Sequence, residues 1–597
     1  MSSVKIYQQG VPSRRAGPIY NAVPYPTKID PEAIAVFIAA HTKPGDRVLD
    51  VFGGSCTTGM AVCLCDTPTE RMKALSKELG IDAEWGSREA VVYELSPVGC
   101  LTGSVMCSPP DPLEFQAATD RILTRANEAL GWMYQAHSPS GAPGEIRHVI
   151  WSDVLQTPCC SHEISLWDAV ARRAPARIHK KFACPVCGTD VKVKDCARVT
   201  VRRMDRKAGK SIRVRKRLPV QLYGISNGRT WKRSVTDKDR SIIRNCGRRK
   251  LDWVPDGLIQ WGDLYRRGYH TGINKFSDLY TPRNLRVIAR LWAEIDKEPE
   301  HLKNALKLLV LSYNAAHSTL LTRIVAKKEQ PDFVVSGAQS GVLYVSGLPV
   351  EKNIVRGLKR KAKVFSDAFS MLRPSASKVN IICGSSTDMR LERSSIDYVF
   401  TDPPFGDYIP YAEINQLNEA WLGSFTDKSE EAIVSRAQGK GVSEYEDLLN
   451  RVFSEVRRVL KPSACATVIF HSSKAEIWRA VGRAFSTNDL RVKATSILDK
   501  LQVSFKQVVA EAGTRHDAVF LLINDKEAPA SIDHLTEFTA IPPVEVSALS
   551  ANALAEMDKK MAYSHYVSTQ IQHGLDVESD AKAFYSLLHS AKCAGEV

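Results

Sequence analysis

Residues 47–59 read RVLDVFGGSCTTG, and this stretch decides the fold. Arg47-Val48-Leu49-Asp50-Val51-Phe52 has the β-branched, apolar composition of a short buried strand. Gly53-Gly54 breaks that strand, and Ser55-Cys56-Thr57-Thr58-Gly59 leads into the next regular segment. Upstream, residues 31–42 (PEAIAVFIAAHT) space their apolar side chains as a helix does and stop before Pro44-Gly45. Downstream, Glu89-Ala90-Val91-Val92-Tyr93 is a second apolar run, closed by Glu94. Helix, strand, glycine turn, helix and a strand ending in an acid open a doubly wound α/β sheet. Glycines in such a turn let backbone approach a ligand, and the next helix start offers unpaired N–H donors. Glu94 stands where dinucleotide folds place an acid on ribose hydroxyls; its blander reading is a helix N-cap.

The pattern breaks after about 112 and resumes near 375. Strand signals return at 379–383 and 396–400, a helix at 444–460, and further strands at 466–470 and 518–523. One α/β domain split by a large insertion accounts for this order. The boundaries are 1–111 for the first half, 112–375 for the insertion, 376–526 for the second half, and 527–597 for a linker and partly helical tail. Within the insertion, 281–326 reads as two helices divided near Pro299.

The second half carries Thr401-Asp402-Pro403-Pro404-Phe405-Gly406 directly after a hydrophobic strand. An exocyclic amine of adenine or cytosine is a poor nucleophile, because its lone pair is delocalised into the ring. A carboxylate and a fixed carbonyl that both accept from this amine draw its nitrogen toward a tetrahedral state able to attack a methyl donor. Asp402 supplies the carboxylate, and the stiff Pro403-Pro404 unit fixes the Pro403 carbonyl. Phe405 offers a ring for a base flipped out of the stack. Taken alone, the same string is a proline-rich strand end with Asp402 capping a turn.

The chain has 597 residues, 44% of them hydrophobic and 25% charged, with a net charge of +15; this suits a multidomain globular protein with a polyanionic partner. No run of about 18 apolar residues occurs, so no membrane span is expected. The first thirty residues lack the apolar core of a signal peptide. Of fourteen cysteines, Cys56, Cys63, Cys65, Cys100, Cys107, Cys383 and Cys465 lie singly in apolar or glycine-rich stretches and read as buried thiols. Cys159, Cys160, His162, Cys184 and Cys187 are spaced as metal ligands, with Cys196 in reserve. Cys184-Pro185-Val186-Cys187-Gly188 is a zinc-knuckle pattern, and a structural zinc is expected. This usage places the protein in a reducing cytoplasm. Between Arg198 and Lys250 stand nineteen Lys/Arg against only Asp205, Asp237 and Asp239, with Tyr223 and Trp231 interleaved. Such a block suits phosphate contact, while a charge run is more often a solvated loop.

Together these motifs resemble the amino-group DNA methyltransferases of restriction–modification and defence systems. They are most similar to the adenine-specific DNA methylases with a zinc-ribbon insertion. The likeness rests on Tyr25-Pro26-Thr27-Lys28, on PGDRVLDVFGGSCTTG, on ELSPVG from Glu94, on GSSTDM before IDYVFTDPPFGDYIPYAEINQLNEAWL, and on FSDLYTPRNL at 276–285. The resemblance implies a Rossmann-like sheet dependent on S-adenosylmethionine, double-stranded DNA as substrate, and nuclease or other defence-system subunits as partners. It implies that Asp50, Phe52, Gly53 and Gly54 surround the methionine part of the cofactor, that Glu94 holds its ribose, and that Asp388 lies near its adenine. Thr27, Lys28, Ser55, Thr57 and Thr58 complete the cofactor set. Asp402, Pro403, Pro404 and Phe405 form the catalytic tetrapeptide.

Three features depart from that family. Val51 and Cys56 replace a proline and a glycine of the cofactor loop, Phe405 stands where tyrosine is commoner, and the cofactor motif precedes the catalytic one. Cytosine C5 methylation is set aside, because its cysteine nucleophile would have to be Cys159, inside the metal cluster. N4-cytosine methylation, RNA base methylation and a non-catalytic DNA-binding subunit remain as alternatives.

Overall fold

The run that begins at Arg47 does form a strand, and seven others join it in one mixed sheet. The computed structural model describes residues 3–173, 175–205, 209–248, 252–319, 322–328, 330–337, 342–500, 516–524 and 562–586. The strands are β1 (Val11–Ser13), β2 (Arg47–Asp50), β3 (Glu89–Glu94), β4 (Lys378–Cys383), β5 (Ile396–Thr401), β6 (Leu460–Phe470), β7 (Leu490–Lys500) and β8 (Asp517–Asn524). Their spatial order is β1-β7-β8-β6-β5-β2-β3-β4. Strands β6, β5, β2, β3 and β4 run parallel, and β8 is antiparallel to both β6 and β7.

Both faces are covered, as a parallel sheet requires. On one face Leu49, Val91, Val399, Val468 and Phe520 pack with Phe453 and Val456 of the helix Val442–Val459 and Trp478 of the helix Ala475–Thr487. The described part of the tail, helix Ala562–Gln572, adds Tyr563, Tyr566 and Val567 to that core; the linker residues 527–561 and the end from 587 lie outside the described residues. The helix Pro31–His41 covers the other face, with Phe37 5.6 Å from Phe400 and His41 stacked on Tyr398 at 4.8 Å. Asp30 starts that helix by accepting from the Glu32 N–H, with Pro31 in its first turn. Strand β7 is absent from the sequence-based pattern. Its register shifts between Val492 and Ala494, and this bulge erases the period of two that would have announced it.

The chain divides into two compact units: Met1–Pro109, Asp367–Ala412 and Thr426–Val597 form the first, Pro110–Ser366 and Glu413–Phe425 the second. The second unit is far richer in β structure than the metal, basic and helical segments expected of it. A seven-stranded sheet is built around Pro143–Gln156, which pairs antiparallel with Arg217–Ser226, Val350–Lys352, Gln135–His137, Glu163–Ser165 and Ala197–Arg198. Pro219 and two register shifts interrupt Arg217–Ser226, so its alternation is hard to see in the sequence. The helices Pro282–Ile295 and Glu300–Ser312 do flank Pro299, which caps the second. No described helix is long and apolar enough to cross a membrane.

Candidate functional site

Strands β2 and β5 are neighbours, and the chain leaves them in opposite directions, β2 toward β3 and β5 toward β6. That makes their carboxyl ends a topological switch point, where open α/β sheets take ligands. One side chain spans it. Asp50, 1% exposed, accepts from Thr58 Oγ1 at 2.6 Å, from Thr401 Oγ1 at 2.8 Å and from the Phe52 N–H at 3.1 Å. Thr401 precedes Asp402, so this carboxylate ties the glycine turn to the strand carrying the second motif. Burial raises the Asp50 carboxyl above its ordinary range, against the pull of its three donors.

The glycine turn is fixed from several sides. Gly53 N–H donates to the Tyr93 carbonyl at 2.8 Å, and a Cβ there would lie 2.5 Å from Val92 Cγ1. Gly54 has φ +54°, and its N–H donates to Glu94 Oε2 at 2.5 Å. The other Glu94 oxygen accepts from the Ser96 N–H at 2.8 Å. Burial pushes this carboxyl up to about 8, although both backbone donors favour its ionised form. Cys56 is left-handed at φ 56° and fully buried, its sulfur packed where a Cβ on Gly103 would come within 2.5 Å. Ser55, Thr57 and Thr58 are buried, and Phe52 is half-buried against the core.

Two tyrosines outside the expected set close over this turn. A Cβ on Gly54 would lie 3.2 Å from the Tyr25 ring, and Tyr25 stacks on Tyr411 at 5.7 Å. Tyr411 shares a 2.9 Å hydrogen bond with Thr27, itself left-handed at φ 60°. Burial pushes the Tyr411 hydroxyl up, and the negative charges of Asp402 and Glu94 push it the same way. Tyr25 sits in the quoted Tyr-Pro-Thr-Lys string; nothing in the sequence marks Tyr411 beyond its place nine residues after Asp402. Lys28 differs from expectation. Its ammonium donates to the carbonyls of Ile19, Tyr20 and Val23 at 3.1–3.4 Å, so it secures the helix Pro18–Ala22. Asp388 is exposed on the loop after β4, near Ser386, whose hydroxyl donates to the Val51 carbonyl at 2.8 Å. Cys383, expected to be buried, is exposed at the end of β4.

In the second motif Asp402 is half-buried and Pro403 buried. The Pro404 carbonyl accepts from the Tyr445 hydroxyl at 2.7 Å and from the Gly406 N–H at 2.9 Å. No group among the described residues donates to the Pro403 carbonyl. Phe405 is only 6% exposed; it packs edge-on against Phe470 at 5.4 Å and lies 5.9 Å from His471. Its ring belongs to the core, while Tyr408 remains half-buried beside His471.

In the second unit, the sulfurs of Cys159, Cys160, Cys184 and Cys187 lie within 4.8 Å of one another, with individual separations of 3.3, 3.5 and 3.9 Å. A tetrahedral zinc at its usual sulfur distance needs edges of about 3.8 Å. Left-handed Ser161 and Gly188 turn the two knuckles. His162 stands outside this set, its backbone N–H donating to Thr157, and the Cys196 thiol donates to the Lys192 carbonyl. Backbone N–H groups of Cys187 and Val186 pull the Cys184 thiol down, while the hydrogen bond with Cys187 pushes the Cys159 thiol up.

The basic block sorts into two kinds of cation. Arg198, Arg215 and Arg217 surround Asp153; Arg203, Lys216, Lys232, Arg233 and Arg240 pair with Asp278, Glu163, Asp332, Asp239 and Asp237. These eight serve the framework first. Arg206, Lys207, Arg249 and Lys250 lie outside the described residues.

No family model matches the chain, and no curated protein matches it. Among solved structures it is similar over 28% of its length to a geranyl diphosphate methyltransferase in complex with S-adenosylmethionine, at 10% identity, 62% coverage of that chain and a TM-score of 0.15. A geranyl diphosphate C-methyltransferase from Streptomyces coelicolor A3(2), in complex with Mg2+, geranyl diphosphate and S-adenosyl-L-homocysteine, matches over the same share at 11% identity, 59% coverage and TM-score 0.15. The match thus spans 62% and 59% of those two chains. By the order and direction of its strands, the first unit is a mixed, mainly parallel α/β sheet.

Proposed function

We propose that the first unit binds S-adenosylmethionine and methylates the exocyclic amine of a nucleic-acid base, foremost N6 of adenine in double-stranded DNA. The observation that carries this reading is the Asp50 bridge, which fixes the glycine turn and the Asp402 strand end together at the switch point. The turn suits the cofactor, because Gly53 and Gly99 sit where any side chain would collide with the walls of the loop. When bound, S-adenosylmethionine supplies an electrophilic sulfonium methyl. Glu94 accepts from the ribose hydroxyls in this reading, and Asp50 acts through the loop as a positioning residue. Asp402 and the Pro403 carbonyl accept from the amine of the base and localise its lone pair. Phe405 braces the turn from the core, leaving Tyr408 as the more accessible ring.

The test is nucleoside chromatography with mass detection on DNA, and on RNA beside it, after incubation with protein and S-adenosylmethionine. N6-methyladenine in DNA that falls about 100-fold or more with Asp402→Ala, while cofactor binding persists, is the expected result. N4-methylcytosine would change the base, and product only in RNA would change the substrate class. Unchanged turnover by Asp402→Ala would overturn the assignment. The four-cysteine cluster is proposed to hold a structural zinc, one equivalent by elemental analysis and none in Cys184→Ser.

A further inference from the structure

Residues Thr200–Asp205 and Lys210–Arg215 form a two-stranded antiparallel ribbon that pairs with no other strand among the described residues. Alternation along the strands gives it two faces. Val201, Arg203, Asp205, Lys210, Ile212 and Val214 share one of them, and Arg203, Asp205 and Val214 anchor it. Arg203 pairs with Asp278 at 2.6 Å, Asp205 pairs with Lys275 at 2.5 Å, and Val214 is buried. The foot is held as well. Arg215 pairs with Asp153 and donates to the carbonyls of Tyr269 and Thr271, and Asn274 donates to the Arg213 carbonyl.

The opposite face presents Arg202, Met204, Ser211 and Arg213, all exposed, with Met204 at 62%. Arg202 lies directly across from Arg213, and Met204 across from Ser211. Like charges directly opposite each other destabilise a strand pair. Neither guanidinium has an acidic partner among the described residues, unlike the eight framework cations of the same block. An anchored ribbon with a pair of arginines that no acid among the described residues compensates suits a polyanion. Its dimensions select among polyanions, because the major groove of B-form DNA admits a two-stranded ribbon and that of A-form RNA does not admit side chains.

We infer that this ribbon enters the major groove of double-stranded DNA and reads base edges through Arg202 and Arg213. The inference rests on the proposed DNA reading and names its recognition element. Each guanidinium offers two parallel N–H donors to a guanine O6 and N7, and Met204 offers apolar contact to a thymine methyl.

The test uses the full-length protein and a random duplex pool from which tight binders are recovered. A recovered duplex is compared with a copy made from 7-deazaguanine and 7-deazaadenine, which lacks the N7 acceptors and keeps every phosphate. Wild type should bind the natural duplex about tenfold or more tightly than the copy. The R202K/R213K variant keeps both charges, and should bind the two duplexes equally while keeping wild-type cofactor affinity and thermal midpoint. Equal binding of both duplexes by wild type, or undiminished discrimination by R202K/R213K, overturns the ribbon assignment. If wild type still methylates DNA in either case, the proposed activity stands without it. Binding of S-adenosylmethionine with no binding of duplex DNA would overturn both.

Discussion

Two buried carboxylate sites, one in each unit, are held in opposite ways. In the second, Asp153 is fully buried and three guanidiniums close around it, from Arg198, Arg215 and Arg217. In the first, Asp50 and Glu94 are buried with hydroxyl and backbone N–H donors only, and burial raises both acids. Buried charge surrounded by opposite charge is framework, costly to disturb and chemically inert. Buried acids at strand ends held only by hydroxyl and N–H donors have raised carboxyls, and perturbed groups of this kind concentrate at functional sites. Missing counter-charge, rather than burial itself, is what separates the proposed cofactor turn from this framework cluster.

The largest test of that contrast is Asp153→Ala. It leaves buried guanidiniums uncompensated, and should cost about 3–5 kcal/mol of second-unit stability in denaturant titration. A loss below about 1 kcal/mol would mean the cluster is solvated like a surface pair. Next is Gly99→Ala in the first unit, whose Cβ would meet the Gly54 carbonyl at 2.5 Å and Glu94 Cγ at 2.6 Å. Overpacking of this kind costs about 1–3 kcal/mol, and calorimetry should also find weakened cofactor binding because the loop must move. Thr58→Val removes one donor to Asp50 and should cost about 1–2 kcal/mol, with turnover falling more than cofactor affinity.

The smallest effect is expected in the pH slope of stability, compared between wild type and Glu94→Gln. The amide nitrogen cannot accept from one of the two backbone N–H groups, so the variant starts from a lower level. Glu94 has its folded pKa raised to about 8, above its unfolded value. Its stabilising contribution is therefore complete below the unfolded carboxylate range and is lost as pH rises through about 8. Wild-type stability should decline across that window, and the variant should lack this part of the slope. Identical slopes would show that Glu94 titrates normally and would remove one side of the comparison.

How much of this was legible in the sequence varied from one segment to the next. Arg47–Asp50, Glu89–Glu94, Lys378–Cys383, Ile396–Thr401 and Asp517–Asn524 read directly, because each is a short, mostly apolar and β-branched run. Strand β7 did not, since a bulge breaks its alternation. The knuckle Cys184–Cys187 read from spacing alone, whereas only folding showed that adjacent Cys159 and Cys160 both join it and His162 does not.

The sequence by itself determined the α/β class and the two glycine- and proline-marked turns, because backbone restriction and apolar periodicity act over a few residues. Only the tertiary structure decided which charges are spent. Lys28 is consumed by helix carbonyls, eight of the nineteen block cations by acids, and Arg202 with Arg213 by none among the described residues. A side chain's partners come from segments distant in the chain, as Thr401 does for Asp50 across 351 positions. No local pattern can report a contact that exists only once the sheet has formed.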